Sequence, residues 1–152
     1  MLAASVLMAA GAASGVELRL PENAAIDAVD GTTVVPITIA DTAGVQGIAI
    51  SLTYAGDIAT ATQVVSSPVA SKCTVMPGLA TPGMITIVAA CPGGLAEGTD
   101  VPLFQVKFKG NRGGVTPLSF SAAPNIPNGC LLNEGAPTCE PHGGQLTVRG
   151  GA

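Results

Sequence analysis

Charged side chains are scarce in this chain of 152 residues. Lys and Arg together number 6, Asp and Glu number 10, and the formal net charge is −4. No basic stripe is interleaved with aromatic residues, and no polybasic run suggests an anionic membrane surface. We therefore expect neither nucleic acid nor a membrane as a partner of the mature domain.

Aromatic residues are scarcer still, with no Trp, 1 Tyr and 3 Phe. Clefts that bind or process sugars usually present aromatic platforms. Strand alternation places Tyr54 and the phenylalanines inward, at Phe104, Phe108 and Phe120. A polysaccharide ligand is therefore only the alternative hypothesis.

Catalytic groups are few, because the single histidine, His142, has no nucleophile motif or second base beside it. We expect His142 to lie exposed in a turn. Folding decides which carboxylates become neighbours, so a glycosidase pair such as Asp27 with Asp30 stays open. On balance the sequence predicts that the protein is not an enzyme.

No cofactor motif is present. The acidic loops are candidate ligands for calcium only. None of them has the dense Asp/Asn spacing of a calcium-binding loop, and turn-forming Asp is the ordinary explanation. The pairs considered are Asp27 with Asp30, Asp41 with Asp57, and Glu97 with Asp100.

Runs of good helix formers are also missing, whereas Gly (20) and Pro (12) are abundant. This composition predicts an all-β protein of one domain. Residues 1–15 resemble a secretory signal peptide, with cleavage expected after Ala12 or Ser14. No Lys or Arg follows Met1, so a short buried helix or an irregular tail is the alternative, and the domain proper is expected at 16–149.

Four cysteines in a chain with a signal-like leader suggest disulfides rather than a metal site. Each of two pairs is equidistant from a turn between its members, so we predict that each lies across its own hairpin. The predicted bonds are Cys73 with Cys91 and Cys130 with Cys139.

Alternation is clearest in the central strand from Gln46 to Tyr54, where even positions are mostly bulky and apolar and odd positions are small and uncharged. About nine short strands are predicted in a two-sheet sandwich. They lie at 16–20, 35–39, 46–54, 63–66, 72–76, 84–91, 103–109, 116–121 and 145–149. Pro36 favours an edge or a bulge. Residues 22–33 are predicted as a loop, and residues 122–144 as a loop or a small hairpin.

The order of these elements resembles the cohesin family, the nine-stranded jelly-roll modules of bacterial extracellular scaffold proteins. The matching stretches are DGTTVVPITI, GVQGIAISLTYAGDI, VPLFQVKFKGNRGGVTPLSF and GGQLTV. The resemblance implies a jelly-roll sandwich and the receptor side of a dockerin pair. Where the family has Tyr followed directly by an Asp that helps to hold dockerins, this chain has Tyr54-Ala55-Gly56-Asp57, and the cysteine pairs are not a family hallmark.

A partner-binding face is predicted on the outer side of the central strand and the disulfide hairpin, because contiguous uncharged patches often mark interaction sites. In cohesins the same sheet carries the dockerin surface. The predicted face comprises Ala49, Ser51, Thr53, Met76, Thr86, Val88 and Ala90. An ordinary low-charge surface is the simpler interpretation, and the loops 93–97 and 125–140 are the alternative site.

The resulting hypothesis is a non-catalytic, secreted protein-interaction module. Its partner would be a dockerin-like protein or a second copy of itself, in the setting of a polysaccharide-degrading assembly. The alternatives are a carbohydrate-binding module and a self-assembling structural or fibre subunit.

Overall fold

A computed structural model describes residues 15–133 and 138–149. The predicted leader, residues 1–15, lies outside these ranges except for Gly15. None of the helices within these ranges has the length and apolar character that a membrane crossing requires.

The described residues form a β-sandwich of two sheets, which confirms the predicted fold class. Its strands are β1 (Val16–Arg19), β2 (Ala24–Ile26), β3 (Thr32–Asp41), β4 (Gly47–Thr53), β5 (Ala59–Ser66), β6 (Thr74–Gly78), β7 (Met84–Ala90), β8 (Thr99–Gly110), β9 (Gly114–Phe120), β10 (Cys130–Leu132), β11 (Cys139–His142) and β12 (Gly144–Val148). The five-stranded sheet has the order β11-β1-β3-β8-β5. The seven-stranded sheet has the order β2-β12-β9-β4-β7-β6, with β10 also paired to β4.

The core lies between the sheets and consists of the inward side chains of both. Ile50 and Ile87 from one sheet and Phe104 and Val106 from the other are fully buried, as alternation predicts. Tyr54 also points inward: its ring meets Phe108 edge-on at a centroid distance of 5.2 Å, and its hydroxyl accepts the Ala61 N–H at 3.0 Å. Gln46, predicted inward, is exposed instead, because β4 begins one residue later.

Three short strands lie where loops were predicted. β2 pairs with β12, β10 pairs with β4, and β11 pairs with β1. Each has only three or four residues, too few for a visible alternation, and each is held by a strand distant in the sequence. The described chain therefore has twelve strands where about nine were predicted.

Both disulfides join the predicted cysteines, but only one spans a hairpin. Cys73 and Cys91 flank the paired ends of β6 and β7. Cys130 begins β10 in the seven-stranded sheet, whereas Cys139 begins β11 in the five-stranded sheet. The predicted second hairpin is therefore wrong, and this bond ties the two sheets together; its expected turn at 134–135 lies outside the described residues.

Pro36 lies in β3, between β1 and β8 in the strand order. The described pairing with β1 reaches only Thr38 and Ile39, so β3 is locally an edge at Pro36. A register shift against β8 follows between Ile37 and Thr38. The local edge accommodates the missing N–H of the proline, and the bulge lies just beyond it.

The first and last stretches of the described domain pair in parallel in two short ladders. Residues 16–19 pair with 139–142, and residues 24–26 pair with 146–148. Between these ladders Leu20 N–H donates to the His142 carbonyl, and Gln145 N–H donates to the Pro21 carbonyl. The two stretches therefore cross from one sheet to the other side by side. Gly144 permits the crossing, because a Cβ there would lie 2.0 Å from the Pro21 carbonyl oxygen.

Candidate protein-interaction surface

The predicted face residues lie on three adjacent strands, β4, β7 and β6. Ala49 pairs with Val88, and Val88 pairs with Met76 on its other side. Leu131 of β10 pairs with Ala49 and extends this row by one strand. We call the row of Leu131, Ala49, Val88 and Met76 the apolar row.

The apolar row is most exposed on the hairpin. Met76 retains 63% of its accessible surface and Val88 retains 42%. Ala90 is exposed, while Ala49, Thr53 and Thr86 are half-buried. A partner would therefore meet Met76 and Val88 first, on a surface of small neighbours.

Ser51 departs from the predicted face, because it is fully buried. The chain leaves β9 where Ser121 N–H donates to the Ser51 carbonyl, and it returns to the sheet where Cys130 pairs with Ile50. Within this excursion the 3-10 turn Pro127–Gly129 contacts β4. The excursion covers Ser51, so Ser51 is not part of the exposed surface of the sheet. Its hydroxyl finds no hydrogen-bond partner among the described residues.

Charge is divided between the two sheets. The strands of the seven-stranded sheet contain no charged residue. The charged strand residues all lie in the five-stranded sheet, at Glu17, Arg19, Asp41, Asp100, Lys107, Lys109 and Glu140. Sequence alternation detected the uncharged outer face but could not show that a whole sheet shares this property.

Most of the carboxylates considered for calcium face cations instead. Asp27 accepts from Arg149 at 2.7 Å, and Asp100 accepts from Arg19 at 2.5 Å. Asp57 pairs with Arg112, and Asp30 lies 3.7 Å from Lys109. Asp41 accepts the Ala43 N–H at 3.0 Å, as a turn-forming Asp does. None of these carboxylates belongs to a group of three metal-ligating side chains within the described ranges.

The alternative loop site contains an open cleft of about 580 Å³ beside the loop 93–97. Backbone and small side chains make up most of its lining, with Asp41 and Glu97 as the charged members. Asn133 holds the start of β4 and the turn before it through three hydrogen bonds. Its side-chain oxygen accepts the N–H groups of Gln46 and Gly47, and its side-chain nitrogen donates to the Gly44 carbonyl. Sequence reasoning missed Asn133, because nothing near it in the chain signals this role.

His142 is exposed as predicted, yet it lies on β11 and has two acidic neighbours. Glu17 and Glu140 are directly paired across β1 and β11. The Nε2 atom of His142 lies 3.7 Å from a Glu17 carboxylate oxygen, and one ligand atom from each of the three residues falls within 4.8 Å of the others. The grouping depends on the parallel pairing of residues 16–19 with residues 139–142, for which the sequence offers no local signal.

No model of a protein family matches the sequence, and a search of curated proteins found no match. Solved structures do match. The cohesin CaCohA2 from Clostridium acetobutylicum superposes with a TM-score of 0.71 at 20% identity, over 91% of this chain and 94% of that one. A non-cellulosomal cohesin from the archaeon Archaeoglobus fulgidus has a TM-score of 0.67 at 15% identity, over 89% of this chain and 91% of that one.

A third match is the sixth cohesin of scaffoldin B from Acetivibrio cellulolyticus, which was solved in complex with a dockerin. It has a TM-score of 0.68 at 10% identity, over 90% of this chain and 100% of that one. At these identities the likeness is one of fold. The chain therefore has the cohesin jelly-roll fold, and the resemblance that the sequence motifs carry is confirmed at that level.

Proposed function

We propose that this chain is a non-catalytic protein-binding module that takes a dockerin-like partner on the outer face of its seven-stranded sheet. The apolar row is the observation that carries the proposal. It exposes Met76 on the edge strand β6 and Val88 on the adjacent strand β7, in a sheet without charged strand residues. The fold supports the same conclusion, because one cohesin of this fold was solved with a dockerin bound.

The chemistry of the apolar row suits a protein partner better than a sugar. Two exposed apolar side chains flanked by small residues can be covered without desolvating a charge, and removing such surface from water favours association. A sugar face would need stacking rings, yet Tyr54 and Phe108 are engaged with each other inside the sandwich.

An extracellular setting fits the same proposal. Both disulfides are of a kind that persists in oxidising compartments. A secreted module that recruits partners in a polysaccharide-degrading assembly is the wider role that we propose for it.

A matched pair of charge substitutions tests the binding face. Val88→Glu places a carboxylate in the apolar row, while Val34→Glu makes the same change at an exposed valine of the five-stranded sheet, 51% accessible. We expect Val88→Glu, and likewise Ala49→Lys, to weaken binding by at least about 2 kcal/mol because the charge would be buried unpaired. Biolayer interferometry against a panel of dockerin modules measures this, and Val34→Glu should bind as the parent does.

The binding face would lie elsewhere if Val88→Glu kept the parent's affinity, and the loops 93–97 and 125–140 would then be the next site to test. Retention on cellulose, xylan, chitin or starch in affinity electrophoresis, with no dockerin bound, would favour the carbohydrate-binding alternative. Concentration-dependent mass in light scattering would instead indicate a second copy as the partner.

A further inference from the structure

We propose that Glu17, Glu140 and His142 form a binding site for a divalent transition-metal ion such as Zn²⁺. The site lies on β1 and β11 at the edge of the five-stranded sheet. It is separate from the apolar row, which belongs to the other sheet, so the two proposals stand or fall independently.

The backbone fixes two of the three ligands. Glu17 and Glu140 are opposite each other in the parallel ladder, and like charges in that position repel unless a cation lies between them. Glu140 is further oriented by the Gly15 N–H, which donates to one of its carboxylate oxygens at 3.0 Å. The disulfide at the adjacent Cys139 anchors the start of β11.

The distances are close to those of a coordination shell. The Glu17 oxygen and His142 Nε2 are 3.7 Å apart, and all three ligand atoms lie within 4.8 Å of one another. Ligands about 2.0–2.1 Å from a tetrahedral Zn²⁺ are about 3.3 Å apart, so small side-chain rotations would close the site.

The donor set selects the class of metal. One imidazole nitrogen with two carboxylate oxygens suits Zn²⁺ and its transition-metal neighbours, whereas Ca²⁺ prefers six to eight oxygen ligands. His142 is therefore the residue that distinguishes this group from an ordinary acidic patch.

Arg19 is the cation that would compete with a metal ion for Glu17, but its closest contact is with Asp100. One guanidinium nitrogen of Arg19 donates to Asp100 at 2.5 Å, and the other lies 3.6 Å from one Glu17 oxygen. The second Glu17 oxygen is the one that faces His142. Glu17 can therefore offer that oxygen to a metal without losing its contact with Arg19.

Isothermal titration of the folded, disulfide-bonded protein with ZnCl₂ tests the site, using protein without a polyhistidine tag. We expect saturable binding of one ion and a rise in melting temperature. His142→Gln and Glu17→Gln should each lower the affinity at least about tenfold, while Asp27→Asn, an exposed carboxylate paired with Arg149, should leave it unchanged.

Circular dichroism shows whether each variant folds. Each of the two variants removes a different ligand, so the test still holds if one of them does not fold. The absence of saturable Zn²⁺ binding by the parent would overturn the proposal. So would undiminished binding by a folded His142→Gln variant, or an equal response to CaCl₂, which would mean that the carboxylates alone attract cations.

Discussion

Ile50 and Ser51 are consecutive residues of β4, both fully buried, on opposite faces of the same sheet. Ile50 faces the core between the sheets. Ser51 lies on the outer side, where the excursion between β9 and β10 closes over it. Burial of the Ile50 side chain therefore stabilises the core, whereas burial of Ser51 leaves its hydroxyl without a hydrogen-bond partner among the described residues.

Alanine substitutions should have different effects on stability at the two residues. Ile50→Ala should lower the free energy of unfolding by about 2–5 kcal/mol, because it leaves a cavity in the core. Ser51→Ala should be neutral or stabilising by up to about 1 kcal/mol, since it removes a buried hydroxyl without a hydrogen-bond partner. Urea denaturation measures both, and similar losses for the two variants would contradict the different roles of the two faces.

Strand alternation predicts the side of a sheet on which a residue lies, but not what covers that side. Ile48, Ile50 and Leu52 are buried in the core as the pattern indicates. Ser51 was predicted to be open to a partner and is not, because the covering segment comes from the far end of the chain and leaves no mark on the sequence near Ser51.

One disulfide connects the two strands of a hairpin, and the other connects the two sheets. The bond between Cys73 and Cys91 holds the ends of a hairpin, β6 with β7. The bond between Cys130 and Cys139 connects β10 of one sheet to β11 of the other. Loss of the first should loosen one hairpin, whereas loss of the second should loosen the contact between the sheets.

Paired Cys→Ser variants test this difference. Each should lower the free energy of unfolding by about 2–4 kcal/mol, because the denatured chain regains the freedom of the closed loop. Hydrogen exchange should quicken in β6 and β7 when Cys73 and Cys91 are replaced, and in β10, β11 and β1 when Cys130 and Cys139 are replaced. Faster exchange confined to β10 in the second case would show that the bond does not support the five-stranded sheet.

Sequence spacing predicted the cysteine pairing of both disulfides, but it predicted the hairpin geometry correctly only for the first. A hairpin is local, so the turn between β6 and β7 and the alternation on either side determine which cysteines face each other. The second pair is even closer in sequence, 9 residues apart against 18. Its flanking strands are nevertheless paired with β4 and β1, and these pairings with distant segments decide its geometry.

At the scale of the whole molecule, the sandwich places its strand charges on one sheet and its apolar row on the other. Association through the apolar row should therefore owe little to long-range attraction between charges. The motif order was enough to predict the cohesin-like sandwich, because each motif marks a strand. It could not reveal the division of charge between sheets or the convergence of Glu17, Glu140 and His142, which depend on how the strands are arranged in space.

Ionic strength tests the consequence of this division. The dissociation constant for a dockerin-like partner should change less than about threefold between 50 mM and 500 mM salt, because no charged strand residue lies beside the apolar row. Biolayer interferometry at several salt concentrations measures it. A tenfold or larger weakening would show that charged loops, rather than the apolar row, dominate the contact.

The parallel pairing of the two ends of the domain also determines how it would respond to mechanical load. If the ends are pulled apart, β1 is drawn from its start while β11 and β12 are drawn from their finish. In parallel neighbours this force acts along the strands, so the hydrogen bonds between them must fail together rather than open one after another. The same ladder that closes the sandwich would therefore act as a shear-resistant clamp between the two ends of the domain.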